Sequence, residues 1–249
     1  MDTCQKLAMK ELKNLPLMLL KNLKGLCVIL TGIVLLTSCD LKTYVDPKIA
    51  SSSHTVFINA IADQSSYNFY IDGFRVSNQT LSFSYALPYI YVTAGTKTVD
   101  LVTRSGQSVI SKDIVFKATN YYNIFAIAQD TTGEFVVLED DPATIVDPPA
   151  GKAKVRFIHL SPDAPNIDLF MNGGATLFTD VAYKAHTDFI LMDPAVYTLD
   201  FRETGTTTTK LTKKSMEIQA GRLYTVMALG IWNPTQSDPG LDMGLINGK

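Results

Sequence analysis

The chain has 249 residues, of which 46% are hydrophobic and 18% are charged. This composition is typical of a globular protein and excludes a disordered chain. The formal net charge of −2 excludes a strongly basic surface, so we expect no nucleic-acid partner. Eleven Tyr, twelve Phe and long Thr/Val/Ile runs favour β-structure.

Residues 1–38 have the features of an export signal. Several lysines precede an apolar run, Leu26–Leu36, which at about 1.5 Å per residue spans only half of a ~30 Å hydrocarbon core. The run is therefore too short for a stable transmembrane helix and has the length of a signal-peptide core. It leads into residues 36–39 (Leu-Thr-Ser-Cys), where small residues precede a cysteine whose thiol can carry a lipid thioether.

This pattern resembles the lipobox of bacterial lipoproteins. The resemblance implies export, cleavage before Cys39, and lipidation of Cys39, so that a membrane becomes a partner through the lipid anchor. The implied location is the outer or inner membrane of a Gram-negative cell envelope, facing the periplasm or the cell surface. The alternative interpretation is a buried N-terminal helix with an incidental cysteine.

Two segments rich in proline, serine or acidic residues divide the remaining chain. Residues 39–54 have three consecutive serines and no sustained period, and we expect a tether there. Residues 141–152 contain Pro-Pro, which neither a central strand nor a helix accommodates. We therefore expect a linker at 141–152 between two domains, 55–140 and 153–249.

The two predicted domains are internal repeats. An offset of 100 aligns Val56–Asn59 with Arg156–His159, Asn68–Gly73 with Asp168–Gly173, and Thr98–Leu101 with Thr198–Phe201. An offset of 102 aligns Tyr122–Ala126 with Tyr224–Ala228. Because the order is preserved and the offset drifts little, we infer a duplication with changes in loop length.

Hydrophobicity within each repeat alternates with a period of two. Tyr67, Phe69 and Ile71 alternate with other residues, which predicts a half-buried strand with these three facing the core. Asp72-Gly73 then predicts a tight hairpin. The sequence therefore predicts an all-β protein of two tandem antiparallel β-sandwich domains, immunoglobulin-like or transthyretin-like, with seven or eight strands each.

The second repeat carries a more specific pattern. Val155–Asp168 includes a Ser-Pro-Asp-Ala-Pro loop, and a closing strand follows Ala220-Gly221. These stretches resemble the opening and the end of the bacterial domain-of-unknown-function family numbered 4397. The resemblance implies an exported, β-rich, non-enzymatic module, but it does not imply a substrate. The first repeat departs from this pattern, because residues 60–65 (Ala-Ile-Ala-Asp-Gln-Ser) replace the loop.

Four residues of this pattern are candidate binding or loop residues: His159, Ser161, Asp163 and Asp168. The first three are also the residue types of a hydrolase triad, but no nucleophile-elbow sequence surrounds Ser161. The other interpretation is a loop shaped by two prolines, in which Ser161 or Asp163 accepts backbone N–H groups. The histidines show no metal-ligand spacing, so we expect no metal and no cofactor.

Tyrosines are the main surface feature of the first repeat, and Tyr70 falls on the strand face opposite the predicted core. Exposed tyrosines can stack on sugar rings or anchor a protein partner. Our leading hypothesis is a lipid-anchored envelope protein, not an enzyme, with a binding or scaffolding role. The alternatives are a glycan-binding surface lipoprotein or adhesin and, with least support, an envelope hydrolase. The possible partners are a glycan or an envelope protein.

Overall fold

The computed structural model describes residues 47–248, except residues 78, 130, 131 and 144. Cys39, the export signal and most of the predicted tether lie outside the described residues. Within them, one short helix, α1 (Pro47–Ala50), is followed by sixteen strands. No helix in the described part of the chain has the length and hydropathy to span a membrane.

Each repeat contains eight of these strands. The first repeat has β1 (Ser52–Asn59), β2 (Tyr67–Ile71), β3 (Phe74–Arg75), β4 (Ile90–Thr93), β5 (Gly95–Thr103), β6 (Ser108–Phe116), β7 (Tyr121–Gln129) and β8 (Thr132–Asp140). The second has β9 (Ala153–His159), β10 (Ile167–Met171), β11 (Thr176–Val181), β12 (Ile190–Met192), β13 (Ala195–Glu203), β14 (Thr209–Ile218), β15 (Leu223–Leu229) and β16 (Asp242–Asn247). The predicted all-β fold with seven or eight strands per repeat is confirmed.

Each repeat forms two four-stranded sheets, ordered β4-β1-β7-β8 and β3-β2-β5-β6 in the first and β12-β9-β15-β16 and β11-β10-β13-β14 in the second. Most neighbouring strands are antiparallel, as predicted. One pair in each repeat is parallel, β1 with β7 and β9 with β15. Alternating hydrophobicity does not distinguish the two directions, because side chains alternate between faces in either case.

The first hairpin has the predicted geometry. Asp72 and Gly73 form a two-residue loop between β2 and β3, with φ of 50° and 79°. Positive φ at both central residues is the type I′ pattern, whose twist matches that of the flanking strands.

Repetition extends to individual hydrogen bonds. The Tyr122 hydroxyl accepts the N–H of Lys117, and the Tyr224 hydroxyl accepts the N–H of Gln219, at the same offset of 102. In both sandwiches the hydroxyl of the aligned tyrosine therefore holds the backbone five residues earlier, just before the strand that contains the tyrosine.

Each sandwich has its own apolar core. In the first, Phe57, Phe69 and Ile124 are fully buried in one cluster. In the second, Phe157, Leu169 and Val226 are buried in another. Trp232 also belongs to this second core.

A third apolar cluster joins the two repeats. Its buried members from the first repeat are Val56, Ile58, Ala60, Phe125, Ile127 and Leu138, and those from the second are Ile158, Leu160, Met227 and Leu229. These residues lie on the outer faces of the two central sheets, which therefore pack against each other. The central sheets are buried on both faces, and the four sheets form successive layers.

A buried ion pair borders this shared cluster. Arg156 on β9 donates two hydrogen bonds to the Asp140 carboxylate at the end of β8, at 2.7 and 2.6 Å. Its Nε donates to the Thr225 hydroxyl at 2.9 Å. The side chains of Arg156 and Asp140 are only 5% and 14% exposed, so this bidentate pair links the repeats in a low-dielectric setting.

The first strands of the two sandwiches, β1 and β9, run toward the same end of the molecule. Arg156, in the middle of β9, meets Asp140, which pairs with the beginning of β7. Lys184, whose N–H binds the carbonyl of His159 at the end of β9, forms an ion pair with Glu134 near the beginning of β8. We call the end where β1 and β9 begin the base, and the end where they finish the top.

The start of the first strand differs from the prediction. β1 begins at Ser52, three residues before the expected start of the first repeat at residue 55, and α1 precedes it. Two of the three serines that suggested a tether are buried with their hydroxyls bonded: Ser52 donates to the Lys48 carbonyl and Ser53 to that of Val92. Satisfied hydroxyls remove the cost of burying a serine.

The shared cluster predicts that the repeats unfold together. We expect Ile158→Ala to lower the free energy of unfolding by about 2–4 kcal/mol, because it leaves a cavity between the sheets. Scanning calorimetry of the mature chain should give one transition, shifted as a whole. Val196→Ala, at an exposed site, is the control and should shift it little. Two transitions, of which only one moves, would contradict the shared cluster.

Candidate functional site

His159 ends β9 and is fully buried. Its Nδ1 accepts the N–H of Ser161 at 3.2 Å, and its Nε2 lies 3.0 Å from the carbonyl oxygen of Pro165. A ring whose Nδ1 accepts carries its proton on Nε2, which therefore donates to Pro165. Burial lowers the pKa of His159 below its usual value. The imidazole is thus neutral, with both nitrogens bound to backbone groups.

Ser161 is also fully buried, and its hydroxyl donates to the carbonyl oxygen of Gly230 at 2.7 Å. The hydroxyl proton is therefore directed at a carbonyl, not at His159. A serine nucleophile needs a base that takes its proton, and this geometry supplies none. The structure brings His159 and Ser161 together but does not form a catalytic pair from them.

Asp163 binds the loop that follows β15. Its carboxylate oxygens accept the N–H groups of Trp232 and Asn233, at 2.6 and 2.9 Å. Gly230 lies in the same loop at φ +84°, and a Cβ there would come within 2.2 Å of the Gly240 oxygen. Ser161 and Asp163 thus fasten the loop after β9 to a tight loop some seventy residues away; Asp163 accepts backbone N–H groups, as the loop interpretation has it, whereas Ser161 donates to a carbonyl.

The first repeat uses the equivalent positions in a similar way. Asn59, aligned with His159, accepts the N–H of Ile61 at 3.1 Å, two residues along, as His159 does from Ser161. Asp63, aligned with Asp163, accepts the N–H of Ser65 and the hydroxyl of Tyr67, at 3.0 and 2.5 Å. The first copy therefore keeps the carboxylate but holds its own loop with it.

Asp168 lies in β10 and binds other partners. Its Oδ1 accepts the N–H of Asp180 and the hydroxyl of Thr204, both at 2.7 Å. Asp163 and Asp168 thus engage different parts of the second repeat. Across the described residues, no three His, Cys, Asp or Glu side chains are grouped so that they could hold a metal ion.

Tyr70 is half-buried on the outer face of the first sandwich, between its strand partners Arg75 and Asp100. Its neighbours Tyr67 and Phe69 face the core, so the predicted alternation is correct. Two other tyrosines of this repeat are the exposed ones, Tyr85 at 60% and Tyr91 at 55%. Tyr70 does not meet the four residues of the second repeat in any contact described here.

A cavity of about 390 Å³ lies at the top, between the two repeats. Residues after β1, including Asp63, line one side, and Pro162, Asp163 and Ile231 line the other. Its remaining lining is Ile61, Ala62, Tyr67, Val109, Ala128, Gln129 and Gly133. The Ser-Pro-Asp-Ala-Pro loop, residues 161–165, helps to build this concave site. The volume of the cavity falls within the usual range of small-molecule pockets.

The cavity is rich in hydrogen-bond acceptors. Its charged lining among the described residues consists of Asp63 and Asp163, with no Lys or Arg. Each carboxylate oxygen already accepts one hydrogen bond and retains a further lone pair. Burial, and then the hydrogen bond to Asp63, raise the pKa of Tyr67 to about 12, so its hydroxyl stays protonated. Apolar side chains beside acceptor oxygens suit a ligand with N–H, O–H or ammonium groups.

Sequence reasoning missed Asp63 as a site residue. The signal was present, because Asp63 occupies the position of Asp163 at the offset of 100. The missing serine and prolines of the first repeat obscured it. The meeting of the two loops across the repeats had no local signal, since it depends on the packing of the central sheets.

The lowered pKa of His159 predicts acid sensitivity. Below the unfolded value of about 6.5, the unfolded chain binds a proton that the folded chain does not, so stability falls with pH by up to ~1.4 kcal/mol per unit for each such group. Burial lowers the pKa values of His54 and His186 as well. We expect His159→Asn, which copies Asn59, to flatten the decrease in melting temperature between pH 7.5 and 5.

His186→Asn is the matched variant, and it should flatten the same profile through a different site. Asn at position 159 can still accept the N–H of Ser161, so the fold should survive the change. A pH profile of His159→Asn identical to that of the wild type would contradict a neutral buried imidazole at this position.

Comparisons with known proteins agree with the duplicated architecture. The family model described as "Domain of unknown function (DUF4397)" matches twice, at residues 53–170 and 153–241. Among solved structures, a carbohydrate-binding module of family CBM26 from Eubacterium rectale Amy13K, in complex with maltoheptaose, is 10% identical with a TM-score of 0.25, covering 78% of this chain and 96% of that one. The Bacillus anthracis TIE protein is 8% identical with a TM-score of 0.22, covering 72% of this chain and 34% of that one.

These two structural likenesses are too distant to bear on function, and no curated protein matches the chain. The family model, in contrast, covers well over half of the chain and matches each repeat. The chain therefore belongs to the DUF4397 family, of which it carries two copies.

Proposed function

We propose that the protein is an exported lipoprotein, acylated at Cys39, whose paired sandwiches bind a ligand at the cell envelope without catalysing a reaction. The ligand site is the cavity between the repeats. The observation that carries this proposal is the position of the Ser-Pro-Asp-Ala-Pro loop: its Pro162 and Asp163 line one wall of an acceptor-lined cavity, and the buried Ser161 fastens the loop to Gly230. The hydroxyl and imidazole that a hydrolase would need are bound to backbone groups.

Anchoring is supported by the sequence. The order of cationic segment, short apolar run and Leu-Thr-Ser-Cys is the basis for acylation at Cys39. Two or three acyl chains hold a protein at a bilayer far more firmly than one. Cleavage before Cys39 would remove Cys4 and Cys27, leaving a mature chain whose sole cysteine is lipidated.

The acylation is tested by substitution. We expect Cys39→Ala to abolish incorporation of a clickable palmitate analogue and to leave the precursor uncleaved, because the thioether cannot form. Cys27→Ala, within the export signal, is the control and should be labelled and processed like the wild type. Equal labelling of Cys39→Ala and the wild type would refute lipidation at this residue.

The ligand class follows from the chemistry of the cavity. Carboxylate oxygens and apolar side chains together favour a ligand with several donors, such as the hydroxyls of a sugar or the ammonium groups of a basic peptide. The two sources share this chemistry, so both a glycan array and an array of basic peptides serve as probes.

Val109 and Val115 give a matched pair of variants for this test. Both lie on β6, but Val109 lines the cavity and Val115 lies near the base. We expect Val109→Arg to reduce retention of the bound array member at least about tenfold, because it places a cation and added volume in the cavity. The Val115→Arg variant should retain the bound array member as the wild type does. The acyl-free mature chain, with Cys39→Ser, is the protein to use.

The same assay also distinguishes glycan binding in the cavity from glycan binding at Tyr70. Loss of glycan retention in Tyr70→Ala, with normal retention in Val109→Arg, would move the site from the cavity to the outer sheet face. Retention that neither variant changes, or no retention on either array, would count against ligand binding at both places.

A further inference from the structure

The large apolar side chains on the surface are unevenly distributed. Those exposed in the described residues are Phe74, Tyr85, Tyr91, Val109, Val115, Val146, Leu191 and Val196. Tyr85 and Val109 lie near the top. The backbone carbonyl of Tyr85 accepts the N–H of Asn59 at the end of β1, and Val109 lines the cavity. The other six lie near the base.

Strand registers place four of these six side chains. Tyr91 pairs with His54 near the beginning of β1, and Leu191 pairs with Lys154 near the beginning of β9. Val115 pairs with Thr96, and Val196 with Glu217, at the ends of the outer sheets where β5 and β13 begin. We call these four, with Phe74 and Val146, the basal band.

Phe74 and Val146 complete the basal band. Phe74 is 78% exposed and shares an open groove with Tyr91 and Lys97. Val146 precedes β9, and its carbonyl accepts a hydrogen bond from Lys154. Both repeats and the segment between them therefore contribute to the band.

The chain toward Cys39 leaves from the same end. Pro47 begins α1, which leads directly into β1 at the base. Residues 40–46 separate it from Cys39, and at ~3.5 Å per residue the eight steps from Cys39 to Pro47 reach at most about 28 Å when fully extended. An acylated Cys39 therefore keeps the base close to the bilayer.

Three ion pairs lie at the base. Lys97 with Asp72, Lys117 with Glu139, and Lys152 with Asp193 form ion pairs at 2.8, 2.8 and 2.6 Å. Paired cations gain little from anionic lipids, whereas apolar and aromatic side chains gain from the headgroup region of any bilayer. The favoured surface is thus zwitterionic.

We infer that the basal band rests in the headgroup region of the bilayer and holds the top cavity away from the membrane. This inference builds on the proposed acylation of Cys39 and adds a fixed orientation, with a zwitterionic lipid surface as the occupant of the band. Interfacial side chains of this kind enter the headgroup boundary by ~5–10 Å.

Two tyrosines of nearly equal exposure test the orientation. The mature chain has Cys39 as its sole cysteine, so Tyr91→Cys and Tyr85→Cys each add one thiol, at the base and at the top. The acylated proteins are placed at low density in phosphatidylcholine vesicles and labelled with a charged, membrane-impermeant maleimide. Each labelling rate is compared with the rate for the same variant that also carries Cys39→Ser, which is measured in solution without vesicles.

We expect the vesicles to slow the labelling of Tyr91→Cys about tenfold and that of Tyr85→Cys less than about twofold, because one thiol lies at the bilayer and the other faces water. Equal labelling of the two thiols in an acylated protein would overturn the orientation alone. Protection of Tyr91→Cys that requires high protein density would overturn it in favour of a second copy on the band. A mass spectrum without acyl groups at Cys39 would overturn the proposed anchoring, and the orientation with it.

Discussion

The two-sided burial of the central sheets is the constraint from which the other features follow. Because Ile58 and Ile158 belong to the cluster between the repeats, each sandwich has a face that it cannot leave in water. The bidentate pair of Arg156 and Asp140 at the margin of this cluster adds direction to a contact that apolar packing alone would leave free to slide. An ion pair of this kind contributes specificity more than net stability, since both ions lose hydration. With the sheets fixed, the loops after β1 and β9 must meet at one end, and a cavity forms between them.

The sequence was informative where each strand has one buried face. Period-two alternation at Tyr67–Ile71, the Asp72-Gly73 turn and the offset of 100 were enough to predict two sandwiches and their hairpins, because these features depend on neighbouring residues. The continuous apolar runs at Ile124–Ile127 and Val226–Leu229 carried further information, since strands buried on both faces do not alternate. These runs are what the layered packing produces, but the prediction of two separate sandwiches gave them no role.

Long-range contacts explain what the sequence could not predict about the site. Ser161 and Asp163 were recognisable as a loop pattern, but their partners at Gly230 and Trp232 lie about seventy residues along the chain. Nothing in the local sequence distinguishes a serine that binds a carbonyl from one that attacks a substrate. The difference is decided by the approach of a second loop, which brings the acceptor and removes the hydroxyl from any base. Tyr70 shows the opposite case, where the face was predictable and the extent of exposure was not.

Duplication followed by divergence accounts for the difference between the two ends of the molecule. Both copies keep an acceptor at the end of their first strand, Asn59 in one and His159 in the other, and both keep an aspartate in the following loop. At the top, this conserved loop chemistry from two copies supplies acceptors to one shared cavity. At the base, the copies share apolar exposure instead, through Tyr91 and its counterpart Leu191. In a tandem duplication whose copies run in the same direction, each feature at one end of a copy lies beside the same feature of the other copy. The duplication alone therefore produces a molecule whose top and base differ. The proposed acylation of Cys39 would then be sufficient to distinguish which of the two ends faces the membrane.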